Sequence, residues 1–232
     1  MSHTRASLLG KRYLGRMRLL IFSKTTGFRH DSIPTGVAAV EALAAANGYA
    51  TDATEDAGAF TPENLARYAA VVFLSTSGAL FDDAQKAALK DYVERGGGYV
   101  GIHAASTTEY DWPWYGELVG ARFTRHPRPQ DGVIHIEDGD HDSTKHLGAT
   151  WPRFDEWYEF AENPRGRVSV LLTVDESSYE GAEMGADHPL AWFHEIGGGK
   201  AFYTALGHTH ESFAEPEFLA HVLGGIRYAT GV

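Results

Sequence analysis

Apolar runs and amphipathic stretches take turns along the N-terminal half of the chain. Residues 18–24 (RLLIFSK) form a short apolar run rich in strand formers and closed by Thr25-Thr26-Gly27. Such a run reads as a strand buried on both faces. Asp31 or Ser32 is placed to cap the helix that follows, with Pro34 in its first turn. Val37, Val40, Leu43 and Ala44 mark its apolar stripe, and Asn47-Gly48 ends it. A second strand is expected over residues 49–53. A short helix opens at Thr61-Pro62-Glu63 and runs to Tyr68, and a third strand spans residues 70–75 (AVVFLS). Asp82 or Asp83 caps a longer helix whose core face holds Ala84, Ala87, Ala88, Tyr92 and Val93, stopped by Gly96-Gly97-Gly98. Residues 99–103 (YVGIH) make a fourth strand. This alternation predicts an α/β fold: an open, mostly parallel sheet with helices on both faces and right-handed crossovers.

The rhythm changes further along. Residues 111–132, rich in Trp, Pro, Gly and Arg, read as an active-site loop or short insertion. Residues 133–138 (VIHIED) alternate as a half-buried strand does, and residues 168–174 (VSVLLTV) form another. Residues 190–195 and 200–206 flank Ile196-Gly197-Gly198-Gly199 and read as an antiparallel addition in the C-terminal half. A closing helix spans residues 215–229, with Phe218, Leu219, Val222, Leu223 and Ile226 inward. No repeat or clean linker divides the chain, so residues 18–232 form a single domain.

Composition narrows the choices. A chain of 232 residues, 43% hydrophobic and 22% charged, can bury a sizeable core. The absence of cysteine excludes disulfides, thiolate metal sites, iron–sulfur clusters and cysteine nucleophiles. The net charge of −11 disfavours nucleic acid, and no apolar stretch approaches the ~20 residues of a membrane span. Between Met1 and Arg18 stand Arg5, Lys11, Arg12 and Arg16 with no acid, and Leu8-Leu9 is too short an apolar run for a secretory signal. Residues 1–17 are therefore expected to be a disordered extension, or to precede a start at Met17, and the location to be cytoplasmic. The expected partner is a small molecule; a homo-oligomer is left open.

In an open parallel sheet, ligands bind beyond the carboxyl ends of the strands. The segments expected there carry His30, His103, His208 and His210. His103 ends a strand that runs into a tight turn, the place where a nucleophile elbow sets its reactive residue. An imidazole there serves as a base or a metal ligand. His30, at a helix start, is expected to be neutral. The partnering carboxylate is sought in Glu159 or Glu211. If residues 155–159 (DEWYE) are extended, Asp155, Trp157 and Glu159 face one way, and Glu156 and Tyr158 the other. Phe28, Trp112 and Trp114 are candidates for a flat sugar platform. Tyr158 is a candidate for the pocket wall, and His126, fixed before Pro127, for a residue that closes over the pocket. Arg29 either binds an anion or pairs with an acidic neighbour, and His188 reads as structural. No composed metal motif is present. Because His and carboxylates suit zinc or manganese, a divalent metal is a candidate cofactor, with His30, His103 and His208 as its ligands. No G-x-G-x-x-G follows the first strand and no Walker loop occurs, so a nucleotide cofactor is not expected.

Gly27-Phe28-Arg29-His30, Gly98-Tyr99-Val100-Gly101-Ile102-His103, Asp155-Glu156-Trp157-Tyr158, His188-Pro189-Leu190-Ala191-Trp192 and Gly207-His208 with Glu211 together resemble the ThuA-like (trehalose utilisation) family. The resemblance runs from Arg18 to the C-terminus. It implies a flavodoxin-like sheet of the class I glutamine amidotransferase-like type and a role in bacterial sugar catabolism, around trehalose-type disaccharides and their 3-keto derivatives. In the amidotransferase relatives the elbow carries a cysteine. Here His103 stands in the corresponding place, and their His-x-Glu element is matched only loosely by His208-Thr209-His210-Glu211, so thioester glutaminase chemistry is excluded. The leading expectation is a hydrolase or lyase acting on a disaccharide or keto-glycoside. His103, His30 and His208 would work with Glu159 or Glu211 by acid-base chemistry, with or without a metal. The alternatives are a non-catalytic sugar-binding or regulatory protein on this fold, and a metal-dependent amidohydrolase on a non-sugar substrate.

Overall fold

A nine-stranded mixed sheet organises the computed structural model, which describes residues 17–232. The extension expected over residues 1–17 therefore lies, Met17 apart, outside the described residues. The first half runs β1 (Arg18–Phe22), α1 (Ile33–Ala46), β2 (Ala50–Thr54), α2 (Pro62–Leu65), β3 (Ala70–Leu74), β4 (Ser77–Gly78), α3 (Asp83–Glu94), β5 (Gly98–Ile102) and β6 (Thr107–Thr108). The second half runs α4 (Pro113–Val119), β7 (Phe123–Arg125), β8 (Gln130–Ile136), β9 (Thr150–Asp155), β10 (Glu159–Phe160), β11 (Ser169–Asp175), β12 (Pro189–Ile196), β13 (Gly199–Thr204) and α5 (Pro216–Thr230).

The sheet order is β2-β1-β3-β5-β13-β12-β11-β8-β9. The first five strands are parallel and follow the flavodoxin-like order 2-1-3-4-5. From β13 outward every pairing is antiparallel, as the alternating patterns of the second half require. β3 and β5 are buried along their whole length, which explains why their sequences are apolar runs with no alternation. α5 lies directly on the start of β5: a Cβ at Gly98 would stand 2.3 Å from the Ala229 carbonyl oxygen, so only glycine fits.

Several local expectations are corrected. Ser32 occupies the N-cap position of α1, but its hydroxyl makes no capping bond. Asp82 does cap α3, in a reciprocal capping box with Gln85. The buried face of α3 is Ala88, Leu89 and Val93, while Ala84 and Ala87 are exposed. The stripe turns toward the larger side chains, which bury more apolar area than alanine. α5 buries Phe218, Val222 and Ile226 as expected. It adds His221, and Leu219 and Leu223 are only half-buried. Residues 111–132 are not one loop, because Pro113 starts α4 and residues 123–125 pair with residues 159–160. Nor is the DEWYE segment one strand. β9 stops at Asp155 and β10 resumes at Glu159, so the chain leaves the sheet at Glu156.

Candidate active site

His103 follows β5 directly and has φ +52°. Left-handed backbone is uncommon outside glycine and marks a residue that its surroundings hold in place. The turn swings the imidazole into the protein, where it is fully buried. Its Nδ1–H donates to the Ala205 carbonyl at 2.6 Å, so the lone pair of the neutral ring lies on Nε2. That Nε2 is 3.1 Å from His30 Nε2, 3.3 Å from His208 Nδ1 and 3.3 Å from Glu156 Oε2. Glu156 Oε2 is also 3.2 Å from His208 Nδ1 and 3.9 Å from His30 Nε2. One donor atom from each of the four residues lies within 4.8 Å of all the others. His30 enters from the loop after β1, His103 from the end of β5, His208 from the loop after β13 and Glu156 from the exit of β9. The expected gathering of residues 30, 103 and 208 is therefore what the fold brings about.

Charge inside this cluster is strongly biased. Burial opposes ionisation of Glu156, but the imidazoles of His103, His208 and His30 beside it outweigh burial and hold the carboxyl far below the usual carboxylate range. Burial pushes the pKa of His30 down, and His103 and His208 push the same way against the pull of Glu156. Burial also works against the charged form of His208, but the contact with Glu156 prevails and its pKa is raised. Glu156 Oε2 and His30 Nδ1 are buried without a geometrically satisfactory hydrogen-bond partner. The second carboxylate oxygen, Oε1, is 3.1 Å from His126 Nδ1.

Asp155 holds two of the four segments together. Its buried carboxylate accepts the backbone N–H groups of Glu156 at 2.9 Å and of Gly207 and His208 at 3.2 Å, and it pairs with buried Arg153 at 2.9 Å. His188 is structural, as expected: its ring is buried, with Nε2 2.8 Å from the Tyr158 carbonyl and Nδ1 2.9 Å from Glu176.

A cavity of about 490 Å³ opens onto the cluster, with His30 and Glu156 in its lining. Phe28, His126 and Tyr158 line it as well. Phe28 is 72% exposed, while the Tyr158 ring stacks on His103 at 4.2 Å. Other sequence candidates sit elsewhere. Arg29 turns to Glu55, with nitrogen–oxygen distances of 2.7 and 3.2 Å. Trp112 and Trp114 pack against each other, with ring centroids 4.9 Å apart, and against the core, and neither lines the cavity. Standing at the start of α4, both rings turn part of their apolar area onto the core. Glu159 is buried but pairs with Arg125 at 2.9 Å, and Glu211 is exposed at the start of a 3-10 turn. His210 is exposed and meets Thr35. The carboxylate of the cluster is Glu156. Its only sequence signal was a place beside Tyr158 on one face of the DEWYE segment.

Three imidazoles and a carboxylate facing one point can share protons or hold a cation, and the cavity gives a small molecule access to them. The fold and this site together define a flavodoxin-like α/β protein with a buried His/Glu cluster at the carboxyl ends of its parallel strands. Residues 18–229 match the ThuA family, described as trehalose utilisation, and the chain belongs to that family. No match was found among curated proteins. Among solved structures, a ThuA-like protein from Bacteroides uniformis superposes with a TM-score of 0.80 at 24% identity, covering 97% of this chain and 95% of that one. A ThuA-like protein from Parabacteroides merdae gives 0.75 at 19% identity, covering 93% and 91%. A protein from Salmonella typhimurium described as cytoplasmic gives 0.64 at 12% identity, covering 92% and 99%. At these identities the likeness is one of fold. No helix among the described residues is long and apolar enough to cross a membrane.

Proposed function

We propose that this protein is a cytoplasmic enzyme of sugar catabolism, a hydrolase or lyase acting on a disaccharide or keto-glycoside at the His30–His103–Glu156–His208 cluster. The observation that carries this reading is the convergence of four donor atoms from four separate segments beside a cavity of ligand size.

The cluster fits a resident divalent transition ion. With bonds of about 2.0–2.1 Å, tetrahedral neighbours stand roughly 3.3 Å apart. Four of the five separations given above fall between 3.1 and 3.3 Å. The fully buried His103 ring presents an unprotonated nitrogen to two other imidazoles, and a buried carboxylate oxygen lacks a hydrogen-bond partner. A cation resolves both. His30 Nε2, His103 Nε2, His208 Nδ1 and Glu156 Oε2 would hold zinc or manganese, which supplies Lewis acidity toward a sugar oxygen.

The chain's own groups supply the rest. The carbonyl of Ala205 fixes the His103 tautomer. His126 lines the cavity without being needed as a donor to the cluster; its Nδ1 lies 2.8 Å from the Pro127 carbonyl and 3.1 Å from Glu156 Oε1, which fixes the ring beside the cluster. Burial keeps the Tyr158 phenol protonated, so it donates to a ligand oxygen. Phe28 offers a flat apolar face.

The test is metal analysis of the purified protein together with turnover of a panel of disaccharides and their 3-keto derivatives. His103→Ala and Glu156→Gln are expected to abolish turnover. Full turnover by either variant overturns the reading, and so does sugar binding by the metal-loaded wild type with no turnover of any member.

A further inference from the structure

The hydroxyl groups around the cavity share a polarity that bears on its ligand. Ser77 Oγ–H donates to the Phe28 carbonyl at 2.6 Å, Thr107 Oγ1–H to the Ala104 carbonyl at 2.8 Å, and Tyr110 Oη–H to the Phe123 carbonyl at 2.7 Å. A carbonyl can only accept, so each hydroxyl has committed its one proton to the protein and turns only lone pairs outward. Among the described residues, no Lys or Arg lines the cavity, so its lining brings no cationic side chain of fixed charge. Arg29 is held by Glu55 and Arg125 by Glu159 and Glu183. Nearby Arg122 donates to the main-chain carbonyls of Thr108, Glu109 and Trp112. The walls between these oxygens are aromatic, from Phe28, Tyr110, Phe123 and Tyr158.

We infer that the cavity selects an uncharged, unphosphorylated polyol ring that presents several hydroxyl donors, and that it discriminates against the phosphorylated form of the same sugar. The inference rests on the cavity being the substrate site proposed above. A polyol ring matches the lining in both respects. Its O–H groups donate to the lone pairs of Ser77, Thr107 and Tyr110, and its C–H faces lie on the rings. A phosphoryl group brings oxygens that only accept and a charge that needs Arg, Lys or a run of free N–H groups to replace its water. Beside Ser77, Thr107 and Tyr110 it would meet acceptors and aromatic carbon, and the hydration lost there would go uncompensated.

The experiment is calorimetric titration of the zinc-loaded full-length protein with a set of neutral disaccharides that includes trehalose, and with their 6-phosphates. Thr107→Val, Thr107→Ser and Tyr110→Phe variants are tested alongside. Neutral members are expected to bind at least roughly tenfold more tightly than their phosphates. Thr107→Val and Tyr110→Phe are each expected to weaken neutral binding by about 2- to 10-fold, the effect of one hydrogen bond. Thr107→Ser, which keeps the hydroxyl, is expected to restore it. Thermal melts of the three variants check that each is folded, and Tyr110, 52% exposed, tolerates loss of its hydroxyl best. Phosphates that bind as tightly as their neutral counterparts overturn the inference while leaving the catalytic reading intact. Neutral binding that is unchanged in both folded hydroxyl-deletion variants overturns it as well. Failure of both series to bind the wild type removes the sugar-site reading and this inference with it.

Discussion

The backbone N–H of His208 donates to the carboxylate of Asp155 at 3.2 Å, and the same carboxylate oxygen takes the N–H of Glu156 at 2.9 Å. One buried acid therefore sets the distance between two donors of the cluster without touching the cavity. Asp155→Ala leaves Arg153 buried without this partner, and a cost of about 3–5 kcal/mol is expected in chemical denaturation. Asp155→Asn keeps one acceptor oxygen but turns an NH2 group toward the Gly207 N–H and Arg153, so it is expected to fold, but to bind zinc at least tenfold more weakly because the loop carrying His208 is held less firmly. Unchanged zinc affinity in Asp155→Asn would show that the spacing is set elsewhere.

Metal should also register as stability. A ligand that binds only the folded state at 100 times its Kd stabilises by about 2.7 kcal/mol, and a chain of this size gains roughly 5–10 °C in Tm from that. Zinc or manganese added to chelator-treated protein is expected to produce this shift. In His103→Ala the shift should be nearly absent. A shift of equal size in that variant would place the cation elsewhere.

Phe28 and Trp112 are expected to part company under substitution. Phe28→Ala should change Tm little, since the ring is mostly in solvent, and should weaken sugar binding several-fold. Trp112→Ala removes a ring packed against Trp114 and the core. A loss on the order of 2–4 kcal/mol is expected from that, with sugar affinity retained by the folded fraction. Equal effects of the two substitutions on affinity would show that Trp112 has access to the ligand.

His221 makes stability depend on pH. Its ring is fully buried between α5 and the sheet, Nδ1–H donates to the Ser143 carbonyl at 2.9 Å, and Nε2 has no partner. Burial pushes its pKa down to about 3, below the ordinary value of 6.5. Below 6.5 the unfolded chain takes up a proton that the folded one resists. The stabilising contribution is thus complete above pH 6.5 and declines as pH falls toward 3. In His221→Gln that decline is expected to be shallower by a few kcal/mol over the interval. Parallel stability profiles for the two proteins would remove His221 as the cause.

The parallel half of the fold was legible because β1, β3 and β5 are buried on both faces and must be apolar throughout, a pattern few other elements produce. The positions of His30, His103 and His208 followed from the rule that ligands collect at strand ends. The carboxylate did not follow, for a physical reason. The acidic segment reads as a continuous strand by alternation, and nothing local reveals that the chain turns away after Asp155, because its carboxylate is fixed by the backbone of Gly207 and His208, distant in sequence. Trp112 and Trp114 misled in the same way. Composition cannot tell an aromatic ring that anchors a helix from one that faces a ligand, and packing of the start of α4 against the core decided it.

His30 and His103 come from the first half of the chain, and Glu156 and His208 from the second. Neither portion alone can assemble more than a pair of donors. Capture of a metal ion would accordingly report that the entire domain has closed, and a shortened or nicked chain would betray itself by releasing that ion before its secondary structure was lost.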